Sequence, residues 1–411
     1  MFFLDADTVS KTERLFPVST TNIKQRIDFS QVLTDTAYLT PFGAEGGYST
    51  EGDVLVNSTA DGVDLNVLWS ELAAVLQTWN NERSAIAELL SYATTNTADA
   101  IPQSIADESF DLASEFGEPT ALRAPSSHLL LGYTFEDYDK ASRYTWKFLR
   151  QATAEQVRAT TNVALTADNK LVNGLVLDRL FNPAPTTNEW GHTCYGLWNA
   201  DGVIPPPWLG QSFEASHSHY LVSGNSTVDS GDVDAAIKHV EEHGYGTEPN
   251  SQLVLLCNPQ EAEIISTFKA GVENQNEQVA HYDFIPSAGA PPYLLPSGET
   301  IQGVIAPAAI NGLKIQGSYG PVWVIQSYYV PAGYFAVVAS YGAGSPSNPI
   351  GLRQHTNPAY QGLRMIPGYG PYPLQDSFFA RGIGVGTRHR GGACVTQVKA
   401  SGDYVAPAIA R

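Results

Sequence analysis

Two histidines four residues apart stand in the run His239-Val240-Glu241-Glu242-His243. This run fits H-x-x-E-H, in which two imidazoles one helical turn apart bind zinc beside a glutamate base. His217 and His219 precede it and offer, with it, a structural-metal set. Against this, Lys238 and Glu241 suit a solvated helix face, and a catalytic zinc needs a third ligand that the sequence does not nominate. The expectation is solvated or capping histidines, with no metal and no cofactor. A zinc hydrolase built on His239 and His243 is the alternative from another class. Gly382, Gly384 and Gly386 look like part of a phosphate-cradling loop, but His389 stands where the third glycine or alanine belongs and no helix follows. A glycine-relieved turn between strands is expected instead. Cys194 beside His192 pairs a thiol with a base, yet sequence neighbours are seldom a geometric pair. Arg381, Arg388 and Arg390 form the basic cluster, expected as a subunit salt bridge or turn element. No residue is assigned a catalytic role, and the chain is not expected to be an enzyme.

The elements that would position these groups are easier to read. Thr153 and Gln156 form a capping box ahead of a helix over 153–181, with Val157, Thr161, Ala164, Leu165, Val172, Leu175 and Phe181 near helical spacing. At about 1.5 Å per residue such a helix is a rod of roughly 42 Å, long enough to act as a spine. Gly174 inside it marks a close contact. A second amphipathic helix is predicted over 65–92, with Trp69 and Trp79 on a stripe that needs a partner surface. Residues 105–137 carry short apolar runs around a Pro119–Pro125 tip, as in a two-stranded excursion, and 138–150 continue as strand. Helices are predicted over 232–244 and 259–271, a buried strand between them, and strand pairs over 303–315 and 322–340. Strands over 378–385 and 393–398 close the pattern around a basic glycine turn.

Composition limits the function. The net charge of −19 over 411 residues argues against a general nucleic-acid binder, which needs clustered Lys and Arg. With 16% charged and 43% hydrophobic residues the chain should fold, into two or three domains. Three widely spaced cysteines read as buried thiols in a reducing compartment. MFFLDAD lacks the basic start of a signal peptide and no apolar run is long enough to span a bilayer, so a soluble, intracellularly made protein is expected.

The closing run SFFARGIGVGTRHRGGACVTQV resembles the final strands of tailed-bacteriophage major capsid proteins of the Hong Kong 97 fold. LWNADGVIPPPW, HSHYLVSG and HVEEHGYG resemble capsid proteins of actinobacterial phages. The resemblance covers most of the chain, strongest from about Tyr133 onward. It implies an α+β fold with an N-terminal arm over 1–104 and an extended loop over 105–137 that reaches over a neighbouring subunit. A peripheral domain would comprise 138–227 and 377–400, an axial domain 228–376, and a tail 401–411. The implied role is structural: identical copies form the pentamers and hexamers of an icosahedral head enclosing double-stranded DNA. The implied site is the virion, assembled in the bacterial host cytoplasm, and a membrane plays no part. A separate scaffolding protein, a portal and decoration or minor capsid proteins are the implied partners, with packaged DNA held without sequence recognition. The acidic balance suits DNA that must not adhere. An encapsulin-like nanocompartment shell is the alternative within the fold. Trp69, Trp79, Arg123, Glu136, Arg381, Arg388 and Arg390 are candidate inter-subunit contacts. Residues 105–137 contain no lysine, so the family's loop crosslink cannot form there and non-covalent stabilisation is expected. Too little chain precedes the arm for a fused scaffolding domain, so no cleavage is expected.

Overall fold

The computed structural model describes residues 56–82, 85–102, 112–113, 115, 117, 128–289 and 305–411. The arm ahead of residue 56, the tip of the extended loop and Arg123 lie outside the described residues. Helices are α1 (Leu65–Asn81), α2 (Ala85–Leu90), α3 (Trp146–Leu149), α4 (Ala154–Phe181), α5 (Ser230–Glu241) and α6 (Pro259–Ile265). Strands before α5 are β1 (Ser91–Thr94), β2 (Ala98–Pro102), β3 (His128–Gly132), β4 (Glu136–Ala141), β5 (Thr186–Thr187), β6 (Thr193–Cys194) and β7 (Tyr220–Val222). After it come β8 (Gln252–Cys257), β9 (Phe284–Pro286), β10 (Ala309–Ile310), β11 (Leu313–Lys314), β12 (Gly317–Tyr319) and β13 (Val322–Gln326). The last are β14 (Tyr334–Ser340), β15 (Ile350–Arg353), β16 (Arg364–Ile366), β17 (Phe378–Thr387) and β18 (Ala393–Gln397). Among the described residues no helix is long and apolar enough to cross a membrane.

The spine α4 forms as predicted. Thr153 Oγ1 accepts from the Gln156 amide at 3.4 Å, and Gln156 Oε1 accepts from the Thr153 amide at 3.0 Å. The Asp61 carboxylate also accepts from the Ala154 amide, at 3.1 Å to each oxygen, so residues before α1 help to cap the rod. Toward its C-terminus Val176, Leu177, Leu180 and Phe181 are fully buried. Each contributes about 1.5–3 kcal/mol of apolar burial.

A seven-stranded sheet, in the order β7-β18-β14-β8-β13-β12-β9, lies between two apolar layers. Alternate residues of β8 and β14 divide between them, as the two-residue period of a strand requires. Val254, Leu256, Ala336 and Val338 face a core shared with α2 and the spine. Leu253, Leu255, Cys257, Phe335, Val337 and Ala339 face a core shared with α5 and α6. Burial on both faces explains why SQLVLLCNP is apolar without alternation. The cysteines are buried and free. Burial raises all three thiols above the ordinary range.

A second sheet runs β1-β15-β17-β16, with β4 also on β17. Here the chain departs from several sequence expectations. The strand expected over 138–150 ends at Ala141, and Trp146–Leu149 is the helix α3, capped by Thr145. The helix expected over 65–92 is two helices and a strand: Glu82 takes an extended conformation (φ −99°, ψ 108°), and β1 pairs parallel with β15. The apolar period at Ile86 and Leu90 continues in α2, and pairing with β15 takes over from Ser91. The excursion begins earlier than expected, because β2 pairs antiparallel with β3 while β4 belongs to β17. Finally, β17 and β18 are consecutive but belong to different sheets: β18 pairs with β14 and, in parallel, with β7. The basic glycine turn between them is a crossing from one sheet to the other.

Candidate inter-subunit surface

The excursion has a two-stranded stem whose strands pair only with each other among the described residues. A lone ribbon is marginally stable in water, so its root must be held. A polar network holds it. Tyr133, fully buried just past β3, donates its hydroxyl to Asp99 Oδ2 at 2.6 Å and lies 2.7 Å from the Tyr92 hydroxyl. Its carbonyl accepts from Arg353 Nη1 at 3.1 Å and from Asn188 Nδ2 at 3.2 Å, and the same Asn188 amide reaches the Thr97 carbonyl at 2.9 Å. Arg353 also pairs with Glu189 at 2.6 Å, which holds that carboxyl below its usual range. Burial first, then Tyr92 and Asp99, push the Tyr133 phenol far up, so it stays a donor. These bonds tie the root to the body of the chain, while the stem exposes Leu130 by 43% and the adjacent β5–β6 hairpin exposes Trp190 by 66%.

Two of the sequence candidates meet on the spine. Trp79 donates its indole N–H to Asp168 Oδ2 at 2.9 Å, and Arg381 Nη1 lies 2.8 and 2.6 Å from the two oxygens of the same carboxylate. Both side chains are thus engaged inside the chain. Trp69, half-buried, packs on the cluster of Leu65, Leu68, Tyr144 and Val157. Glu136 is exposed at the start of β4, where its carboxylate accepts from the Tyr138 hydroxyl at 2.7 Å. Arg388 lies 3.8 Å from Asp99, at the hairpin root. Arg390 is buried: its guanidinium bonds the Gly196 and Leu197 carbonyls at 3.0 and 3.2 Å, pairs with Asp201 and lies over Trp198. Each arginine of the basic cluster thus has its own acidic partner within the chain. Tyr133, Asp99, Asn188 and Arg353 were not legible as a set, because they come from distant segments.

The chemical candidates resolve too. Gly384 and Gly386 lie within β17, where the backbone of 132–135 crosses so closely that a side chain would strike it; they cradle this chain rather than a phosphate. The Cys194 thiol, pushed up by burial, is 3.8 Å from the His192 carbonyl and is not activated by the ring. His239 Nδ1 is 2.8 Å from the Ala235 carbonyl, whereas His243 turns toward His217 and His219. The His239 ring also stacks on His217, with centroids 5.5 Å apart, but the ligand atoms that converge are those of His217, His219 and His243.

No family model and no curated protein sequence matches the chain. Among solved structures, a chain from Mycobacterium phage Patience aligns at 38% identity over 89% of this chain and 97% of its own, with a TM-score of 0.66. The chain belongs to the phage major capsid proteins of the Hong Kong 97 fold. More distant chains, from the capsid of a native GTA particle and the holo-SrpI encapsulin complex of Synechococcus elongatus PCC 7942, align at 12% and 14% identity. They cover 77% of this chain and 90% and 88% of their own, with TM-scores of 0.42 and 0.37. As a capsid shell protein it has a structural role, and its place is the virion capsid.

Proposed function

We propose that copies of this chain associate into the pentamers and hexamers of an icosahedral head that encloses double-stranded DNA. The ribbon of β2 and β3 reaches over a neighbouring copy, and Leu130 and Trp190 are covered there. Trp69, Glu136 and Arg388, which keep exposed surface, are the sequence candidates retained for contacts between copies; Trp79, Arg381 and Arg390 act by fixing the surfaces behind them. Residues 228–376 gather around the five- and six-fold axes, as the axial domain. The head forms in the host cytoplasm with a separate scaffolding protein and a portal, and decoration or minor capsid proteins bind afterwards. Its contacts are non-covalent, and the acidic chain contacts DNA without reading sequence.

The observation that carries this reading is the ribbon itself. Among the described residues its two strands pair only with each other, and apolar side chains of this size gain about 1.5–3 kcal/mol each when covered. Closed symmetric packing covers the same patch on every copy. The test is reconstruction of particles from infected or co-expressing cells together with a denaturing gel of the same particles. Five- and six-fold clusters around a DNA density, and a single band at the monomer mass, are expected. A ladder of covalent oligomers contradicts the non-covalent part, and shells that hold protein cargo in place of DNA contradict the head.

A further inference from the structure

Three imidazoles converge beside the end of α5. His217 Nε2 is 3.1 Å from His219 Nε2 and 3.0 Å from His243 Nε2, and the three ligand atoms lie within 4.8 Å of one another. The protons cannot satisfy this arrangement. The Ala393 carbonyl is 2.7 Å from His219 Nδ1 and can only accept, so Nδ1 carries the hydrogen and Nε2 of the neutral ring is a lone pair. A single hydrogen on His217 Nε2 can be aimed at His219 or at His243, or shared between them, but not given in full to both. One cation between the rings satisfies all three lone pairs.

The surroundings support a ligand set. His219 is fully buried, and its Nδ1–H bond to a backbone carbonyl is the outer contact that fixes the orientation of metal-binding imidazoles. His217 and His243 are half-buried beside it, and neutral imidazole nitrogens are the form that coordinates. Phe213 stacks on His243, with ring centroids 4.0 Å apart, and covers the cluster. Bonds of about 2.0–2.1 Å at tetrahedral angles place ligand nitrogens roughly 3.3 Å apart. Two edges of the cluster are within a few tenths of an ångström of that, and the third closes as half-exposed His243 turns.

We propose that His217, His219 and His243 bind one divalent transition-metal ion of the zinc type, with water in the remaining position. Imidazole-rich sites of this kind take zinc, copper or nickel in preference to magnesium or calcium. The ion ties the turn after α5 to the segment leading into β7, at the edge of the seven-stranded sheet. Its role is structural: it crosslinks two segments of one chain.

The test uses the full chain without a histidine tag, stripped with a chelator and re-equilibrated with Zn²⁺ or Co²⁺ alone. Wild type should retain about one Zn²⁺ per chain through gel filtration, and Co²⁺ should give visible d–d absorption. H217Q and H243Q should each lower retention at least tenfold; His219 is left alone because its burial makes the variant prone to misfold. X-ray absorption at the zinc edge of wild type, which needs no variant, should show a shell of imidazole nitrogens. Retention below one-tenth of an ion per wild-type chain, equal retention by both variants, or a zinc shell without imidazole would each overturn the site.

Discussion

Gly174 of the spine lies under the chain's C-terminal segment: a Cβ built on it would stand 2.6 Å from the carbonyl oxygen of Ala410. The sequence marks this glycine as a close contact, and its partner is the tail. Tyr404 donates to the Phe181 carbonyl at 2.7 Å and Arg411 pairs with Asp178, so the segment is held along the spine.

Substituting Gly174→Ala therefore sets helix propensity against crowding. Alanine gains about 1 kcal/mol in a helix, while forcing a methyl against packed backbone costs about 1–3 kcal/mol. The tail should be displaced, and amide exchange over residues 404–411 should quicken severalfold. Unchanged exchange would show that the tail does not depend on the missing side chain.

Asp168 serves both Trp79 and Arg381 and is nearly buried, with the Arg381 side chain 14% and the Asp168 side chain 4% exposed. Removing only the acid strands a buried guanidinium, at about 3–5 kcal/mol. D168A should lower the unfolding midpoint markedly, and the double change D168L with R381M should recover much of the loss. A double variant as unstable as the single one would place the cost elsewhere.

At the hairpin root, Tyr133→Phe removes the donor to Asp99 and leaves its carboxylate short of one bond, at about 1–3 kcal/mol. The subunit should still fold, as seen in its circular dichroism, but assemble more slowly because the ribbon is less firmly aimed. L130D should fold with wild-type stability and fail to assemble. Light-scattering traces of assembly separate the two, and normal assembly by L130D would remove the ribbon from the interface.

How much of this was legible depends on whether the cause is local. The spine was readable because the capping box and the 3.6-residue period lie within one segment. The change from helix to strand at Ser91 was not, because β1 pairs with β15, more than 250 residues away. The sheet change between β17 and β18 was hidden for the same reason, and so was the meeting of Trp79 and Arg381 on Asp168. His217 and His219 carry a partial signal: two histidines at i and i+2 share one side of an extended segment, and His243 follows a helix that must pack nearby.

A pH dependence follows from His389, whose Nε2 is 3.3 Å from the Pro346 carbonyl and whose Nδ1 is 3.3 Å from the Tyr245 hydroxyl. Burial, opposed by that carbonyl and reinforced by Arg388, pushes the imidazole down to about 4 from 6.5. The unfolded chain therefore binds the proton first. The stability tied to neutral His389 is present above about pH 6.5 and is lost as pH falls toward 4, at up to about 1.4 kcal/mol per pH unit. H389Q should flatten the acid limb of a stability–pH curve by one proton; an unchanged slope would contradict this.

The central claim is that identical copies of this chain close on one another into a shell. Negative-stain electron microscopy of the purified protein, alone and with a scaffolding protein, tests it most directly. Closed shells, rings or uniform capsomers are the predicted result. A monodisperse monomer or dimer under every condition would contradict the account.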